Sequence, residues 1–195
     1  MARRGLNAAS VTLAAAELAD EDGVEALTVT ALAARLGVRP PSLYAHVGGT
    51  DDLRRRVALL ALEELADRAA DALAGRSRRD AVVALGHVYR DYAREHPGRW
   101  AAARTPLDAA TAAASAGPRL AELQRAVLRG YDLTGDDQTH AVRLLGSVFQ
   151  GFTTLEAAGG FAHSAPDAAT SWTHILDSLD RLLRGWAEDP GRTSR

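Results

Sequence analysis

Apolar residues recur along the chain every three or four positions, which is the spacing of amphipathic helices. The clearest stripe lies near the C-terminus and consists of Trp172, Ile175, Leu176, Leu179, Leu182, Leu183 and Trp186. No segment gives a convincing strand pattern, in which polar and apolar residues would alternate. The pattern therefore predicts an all-α protein of about nine helices.

Capping residues and helix breakers mark where these helices begin and end. Asn7 is placed to cap the first helix, and Gly23 is placed to end it. Thr50, followed by two aspartates, is predicted to cap a long helix. The same signals predict the other helices over 29–36, from Pro40 or Pro41, over 77–96, around Trp100, over 117–131 and 134–158, and from 164–167 to about 189.

Residues 28–46 predict two short helices joined by a tight turn. Thr28 can cap the first of them, and Gly37 stands where a left-handed residue would end it. Pro40 and Pro41 fit only the first turn of a helix, because no backbone donor is missed there. A second helix is therefore expected to begin at these prolines.

The second short helix is predicted to present a polar face to solvent. Arg39, Ser42 and His46 are spaced i, i+3 and i+7, and Tyr44 stands beside them. A short helix with such a face, braced by a second helix, fits the major groove of DNA. The stretch therefore indicates a DNA-binding helix-turn-helix.

This stretch resembles the helix-turn-helix of the tetracycline-repressor (TetR) family of bacterial regulators. The matching pieces are Gly23–Thr28, Leu32–Val38 and Pro41–Val47, followed by a new helix at Thr50. The resemblance implies a DNA-binding domain over 1–50 and a ligand-binding and dimerisation domain over 51–195. A long helix, predicted over 50–74, links the two domains.

The outward face and the resemblance predict a set of DNA contacts: Arg3, Arg4, Thr28, Arg39, Pro40, Ser42, Tyr44, His46, Thr50 and Arg54. Arg3 and Arg4 form an N-terminal arm that can reach phosphates or a minor groove, although an exposed terminus explains them equally well. The family usually carries a Lys in the turn before its fourth helix. This chain has Gly48–Thr50 instead, which leaves the nearby arginines 54–56 as candidate replacements.

Overall charge does not point to a nucleic-acid partner. The chain has a net charge of −2, and its 23 basic residues are all Arg. The first 56 residues contain seven Arg and seven Asp or Glu, which sum to zero. DNA binding must therefore depend on where individual arginines lie.

The C-terminal part contains a group of aromatic residues that could line an effector pocket: Tyr89, Tyr92, Trp100, Phe149 and Phe152. His87, Arg104 and Gln150 could supply its polar points. Aromatic residues at helical spacing are also typical of a plain core, so both interpretations stay open at this stage.

The stretches 96–98 and 144–161 resemble the C-terminal body of one TetR subgroup. The resemblance implies that the last two long helices pair with those of a second copy in a four-helix dimer interface. The residue pattern also favours such an interface. Two long helices with wide apolar faces need a partner surface, and Gly146 and Gly151 are small enough for another helix to come close.

Several classes of protein find no support in the sequence. The chain has no cysteine, and its His and acidic residues show no helical metal-binding spacing, so no metal site or cofactor is expected. No catalytic motif stands out, and we expect no enzymatic activity. Nothing resembles a signal peptide or a membrane span, which predicts a cytoplasmic protein.

The sequence therefore predicts a ligand-responsive transcriptional regulator. By resemblance it is a repressor that binds a palindromic operator as a homodimer and is released by a small, largely apolar effector. The alternative is a helical small-molecule-binding dimer with weak or no specific DNA binding, which the neutral N-terminal region and the missing Lys would favour.

Overall fold

The computed structural model describes residues 6–187 of the 195-residue chain. Within these residues every regular element is a helix, which confirms the all-α prediction. There are ten: α1 (Ala8–Asp22), α2 (Val29–Leu36), α3 (Pro40–Leu43), α4 (Thr50–Leu73), α5 (Arg78–Glu95), α6 (Pro97–Ala102), α7 (Ala109–Ala114), α8 (Gly117–Arg129), α9 (Gly135–Ala157) and α10 (Ala168–Ala187). In this part of the chain no helix is long and apolar enough to cross a membrane.

Two local features differ from the sequence prediction. No helix is predicted from the sequence over Ala109–Ala114, yet this alanine-rich stretch forms α7. The Asp108 carboxylate caps it by accepting hydrogen bonds from the Thr111 N–H at 2.9 Å and from the Thr111 hydroxyl at 2.6 Å. The prediction that Thr50 caps α4 is wrong. The helix starts one residue earlier than a Thr50 cap requires, since the Leu53 N–H donates to the Gly49 carbonyl at 3.1 Å.

The chain divides into two compact units. The first, here called the head unit, contains the chain up to Glu64 together with Glu95–Ala116. The second, here called the body unit, contains Leu65–Arg94 and the chain from Gly117 onwards. Helix α4 therefore begins in the head unit and ends in the body unit.

The core of the head unit is built from α1, α2, α3 and the start of α4. Its fully buried side chains include Val11, Leu27, Leu32, Leu43 and Leu53. Ala102 of α6 belongs to the same cluster, although it lies far along the chain from the others. The head core thus includes a helix that the sequence alone does not connect with the helix-turn-helix.

Helix α6 lies unusually close to α1. A Cβ atom at Gly98 would stand 1.9 Å from the carbonyl oxygen of Ala19 and 2.5 Å from the amide nitrogen of Asp20. Both neighbours are backbone atoms of α1, which cannot move aside as a flexible side chain could. Position 98 therefore accepts only glycine in this arrangement.

In the body unit, α10 presents the apolar stripe that the sequence predicts. Trp172, Leu176, Leu179 and Leu183 are buried, whereas Leu182 is exposed. Gly86 of α5 packs against this stripe, and an added Cβ there would meet the Leu176 side chain at 2.5 Å. The two helices therefore cross closely where α5 has no side chain.

We predict that Gly98→Ala destabilises the protein by at least about 2 kcal/mol, because the added methyl overlaps the α1 backbone. Ala101→Gly in the same helix is the matched control, and its cost should be about 1 kcal/mol from helix propensity alone. Urea unfolding at one fixed protein concentration measures both. Equal losses in the two variants would contradict the close α1–α6 contact.

Candidate DNA-binding surface and effector-binding core

Helices α2 and α3 form the predicted helix-turn-helix. The Thr28 hydroxyl caps α2 by accepting the Ala31 N–H at 3.1 Å. Gly37 ends α2 in the left-handed region, with φ of 66°, and Pro40 occupies the first position of α3. The local signals that predicted the two helices are therefore the ones that form them.

The regular part of α3 is only four residues long, and a turn follows over residues 44–46. The segment still projects polar side chains outward. Arg39, Ser42 and Tyr44 are exposed, with 59% of the Tyr44 surface open to solvent. Pro40 and His46 are half-buried at the edges of this surface. The structure thus brings five predicted DNA-contact residues together on one short segment.

Thr28 and Thr50 have a different position from these five. Both hydroxyls lie at the N-terminus of α2, where Thr50 Oγ1 accepts the Val29 N–H at 3.4 Å and Thr28 caps the helix. Both residues are half-buried. They fix the start of α2, and their contact with DNA stays a prediction. Arg3 and Arg4 lie outside the described residues.

Most arginines of the helix-turn-helix region are paired with acids of the same unit. Arg35 donates to Glu21 at 2.7 Å and lies 3.7 Å from Glu17. Arg54 donates to the Glu25 carbonyl at 3.0 Å and to its carboxylate at 3.3 Å. These pairs explain how the region holds many arginines without excess positive charge.

Arg55 and Arg56 share one acidic partner, Asp52 of the same helix. Burial alone would raise the pKa of Asp52, but hydrogen bonds from the Gly48 N–H and from Arg56 outweigh it and hold that pKa below its ordinary value. Asp52 is therefore ionised at neutral pH. The Arg39 guanidinium makes neither a hydrogen bond nor an ion pair within the described residues, and Arg39 is exposed to solvent.

Aromatic rings form a continuous cluster in the body unit. Tyr89 lies 5.3 Å from Phe149, Phe149 lies 5.8 Å from Trp172, and Trp172 lies 4.7 Å from Phe152. Gln124 donates to the Tyr89 hydroxyl at 2.7 Å, and burial raises the pKa of this hydroxyl well above its usual range. Three of the predicted effector residues thus meet in one place.

The other predicted effector residues are distributed differently. Tyr92 is fully buried in the body unit, where Arg68 lies over its ring at 5.1 Å. His87 and Gln150 are exposed on α5 and α9. Trp100 and Arg104 belong to the head unit, with the Arg104 guanidinium 5.7 Å from the indole ring. Their part in effector binding stays a prediction.

A buried ion pair borders the aromatic cluster, and sequence reasoning missed it. Arg90 makes two hydrogen bonds to Glu156, at 2.9 and 2.6 Å, and Arg94 adds a third at 3.0 Å. The Arg90 guanidinium also lies 5.7 Å from the Phe152 ring and 5.8 Å from Trp172. The sequence did carry one signal of this pair, because Arg90 lies four residues after Gly86 and is a charged residue on the inward stripe of α5.

Trp172 brings an unused donor to this place. Its indole N–H is buried and has no acceptor within the part of the chain that the structure describes. A buried donor without a partner is costly, so such a group is a natural anchor for a ligand acceptor.

One open groove lies on the first turns of α10. It has a volume of about 470 Å³ and is lined by Pro166, Thr170, Ser171, His174 and Ile175. None of the predicted effector residues lines it. Across residues 6–187 no group of three His, Asp or Glu side chains is placed to hold a metal ion.

Comparison with known proteins gives a consistent result. Residues 11–57 match the model of the bacterial regulatory proteins of the tetR family, and residues 82–179 match that of a tetracyclin repressor-like C-terminal domain. The chain is 37% identical over 184 residues to the HTH-type transcriptional regulator Rv0681 of Mycobacterium tuberculosis, covering 92% of this chain and 81% of the relative. It is 36% identical to the HTH-type regulator YobS of Bacillus subtilis, covering 93% and 91%.

A solved structure supports the same fold. Apo ActR from Streptomyces coelicolor superposes with a TM-score of 0.75 at 19% identity, covering 96% of this chain and 99% of that one. Both relatives, Rv0681 and YobS, are transcriptional regulators rather than enzymes.

We predict that replacing Arg39 and Tyr44 together by Ala weakens DNA binding at least about tenfold, because each exposed side chain can reach a base or a phosphate. The fold should be unaffected, since neither side chain is in the core. Fluorescence anisotropy with labelled duplex measures the affinity. Arg129→Ala, which removes an exposed cation of the body unit, is the control for net charge, and an equal loss there would contradict the surface.

We predict that Glu156→Gln lowers the free energy of unfolding by about 3 kcal/mol at pH 7, because Arg90 would lose its ionised partner. The hydrogen bonds from the Arg90 guanidinium hold the pKa of Glu156 below its ordinary value. The stabilisation is complete above the unfolded pKa of about 4.3 and is lost as the pH falls below it.

The difference between wild type and Glu156→Gln should therefore shrink as unfolding is measured from pH 7 down to about pH 3. Glu122→Gln, which loosens the exposed pair with Arg129, should change stability far less than Glu156→Gln and by an amount that hardly depends on pH. A cost of Glu156→Gln that stays constant with pH would rule out the ionised pair.

Proposed function

The chain belongs to the TetR family of bacterial transcriptional regulators, and on this basis we propose that it is a dimeric repressor released from its operator by a small, largely apolar effector. Its role as a DNA-binding regulator follows from the family. The operator contacts, the sign of regulation and the response to an effector are the proposed part.

The exposed segment Arg39–His46 is the observation that carries the proposed operator contacts. Tyr44 is one of two large hydrophobic side chains that the described head unit leaves open to solvent, and Arg39 nearby makes no internal ion pair in the described residues. An aromatic ring and a guanidinium can together contact bases and phosphates. We therefore assign base contact to Arg39, Ser42, Tyr44 and His46.

A homodimer is supported by the surface of the last two long helices. Leu155 of α9 and Leu182 of α10 are exposed at 54% and 47%. An added Cβ at Gly146, Gly151 or Gly185 would meet nothing within 4 Å in the described chain, so another helix could approach these positions closely. A second copy paired on this face would give the assembly two head units, the number that a palindrome requires.

The proposed effector site is the aromatic cluster of the body unit. Its rings offer apolar contact, while the Trp172 indole N–H and the Arg90–Glu156 pair offer polar points. An effector can release DNA only if it binds one conformation of the dimer more tightly than the other. Helix α4, which continues from the head unit into the body unit, is a chain segment that both conformations must accommodate.

The second candidate function is a ligand-binding dimer with weak or no specific DNA binding. The observation that favours it is the pairing of Arg35, Arg54, Arg55 and Arg56 with acids of the head unit. An arginine that is already paired gains less from a phosphate, and the turn before α4 carries no lysine.

Selection of random duplex DNA by the purified protein, at low and near-physiological salt, separates the two candidates. We expect a palindrome whose half-site centres lie about 34–36 Å apart, one helical turn of DNA. The Arg39→Ala, Tyr44→Ala double variant is the control and should recover no such site. Recovery of nothing by the wild type at either salt would contradict specific DNA binding and favour the ligand-binding candidate instead.

A further inference from the structure

One carboxylate gathers three hydrogen-bond donors just after the exposed segment Arg39–His46, here called the recognition segment. Asp52 Oδ2 accepts the Gly48 N–H at 2.9 Å and the Arg56 Nε–H at 2.8 Å, and Asp52 Oδ1 accepts from Arg55. Only 13% of the Asp52 side chain is exposed, whereas Arg55 and Arg56 keep 48% and 31% of their side chains open to solvent, where another anion can reach them. Two guanidinium groups and one amide thus converge on a single anion.

This cluster lies next to the proposed DNA contacts, because Gly48 follows the last residue of the recognition segment, His46, by two residues. Both guanidinium groups bind the carboxylate that binds the Gly48 N–H. A single carboxylate group therefore separates the Arg55 and Arg56 guanidinium groups from the turn between α3 and α4. Arg55 and Arg56 are thus held beside the turn where the family usually carries a Lys.

A carboxylate and a DNA phosphate compete for the same donors. Both are anions that accept charge-assisted hydrogen bonds from a guanidinium. An arginine must leave Asp52 before it can neutralise a phosphate and release a counterion. While Asp52 holds both arginines, they add little to affinity for DNA or to its dependence on salt.

We propose that Asp52 limits the affinity of this protein for DNA by occupying Arg55 and Arg56, in competition with the phosphate backbone. The inference rests on the proposed DNA-binding function of the head unit and adds a residue that sets its strength. Asp52 acts through the two arginines and does not itself touch DNA.

The same carboxylate also closes the turn before α4, so the test must separate this structural role from the electrostatic one. Asn at position 52 keeps an oxygen that accepts the Gly48 N–H but removes the charge that holds the arginines. Asp51 offers a matched control, because it is the exposed neighbour in the same helical turn and has no ion pair in the described residues. Asp51→Asn changes the net charge equally and releases no arginine.

The measurement is the affinity for a labelled duplex of fixed, arbitrary sequence at salt concentrations between about 50 and 200 mM. Asp52→Asn should bind about threefold to tenfold more tightly at the low-salt end, and its plot of log affinity against log salt should steepen by about 0.9 for each released arginine. Asp51→Asn should leave the slope unchanged. Equal effects of the two variants would overturn the proposal.

A second variant tests whether Arg55 and Arg56 are the source of any increase in the affinity for DNA. Adding Arg55→Gln and Arg56→Gln to Asp52→Asn should return both affinity and slope to the wild-type values. A gain that survives the loss of both arginines would also overturn the proposal. If Asp52→Asn does not fold, the test uses the wild-type background. There, Arg55→Gln together with Arg56→Gln should reduce the affinity for DNA by less than Arg39→Gln alone. A larger reduction would contradict the proposal that Asp52 occupies both arginines.

DNA binding by the wild type, compared with binding by Asp52→Asn, separates the repressor assignment from the role of Asp52. Wild-type protein that binds no duplex at all, while Asp52→Asn binds, would remove the repressor assignment but support the role of Asp52. Wild-type protein that selects an operator, with Asp52→Asn unchanged in affinity and slope, would keep the repressor assignment and remove the inference.

Discussion

The close approach of α6 to α1 is the constraint on which the head unit depends. Gly98 lies against the Ala19 carbonyl, and the Asp20 carboxylate accepts the Arg99 backbone N–H at 2.8 Å. Asp20 also contacts the Arg99 Nε at 3.0 Å and the His96 ring at 3.1 Å. Helices α1 and α2, Leu43 of α3 and Ala102 of α6 share one buried core, so α6 helps to support the segment Arg39–His46. A segment distant in sequence is thereby made part of the DNA-binding head.

Charge explains how a neutral head can belong to a DNA-binding protein. The sequence shows equal numbers of basic and acidic residues but not which are paired. The structure shows that the acids near α2 and α4 hold their arginines locally, while Arg39 on the recognition segment stays open. Specific contacts at few positions then matter more than long-range attraction, which overall charge would supply.

Local signals were sufficient for the helices and insufficient for the contacts between them. Gly37 and Pro40 act through their own backbone geometry, so the helix-turn-helix and the fold class could be predicted from the sequence. The contact of Asp20 with Arg99 joins residues 79 positions apart, and no periodicity reports such a pair. The Thr50 cap was predicted wrongly because a hydroxyl before two acids fits both a cap and a first helical residue. The Arg90–Glu156 pair had a weak signal in the charge on an apolar stripe.

The packing of the body unit bears on how an effector could act. Phe149 and Trp172 expose no surface, and Tyr89 hydrogen-bonds to Gln124 within the core. A molecule seated among these rings would have to select a conformation in which they separate. The cost of opening the cluster lowers the apparent affinity for the effector. Because the closed cluster leaves no room for the molecule, the open conformation would bind it more tightly than the closed one. That difference in affinity is what a ligand needs in order to change affinity for DNA. A tightly packed aromatic core is thus compatible with an effector site, because regulation requires a conformation that the effector does not fit.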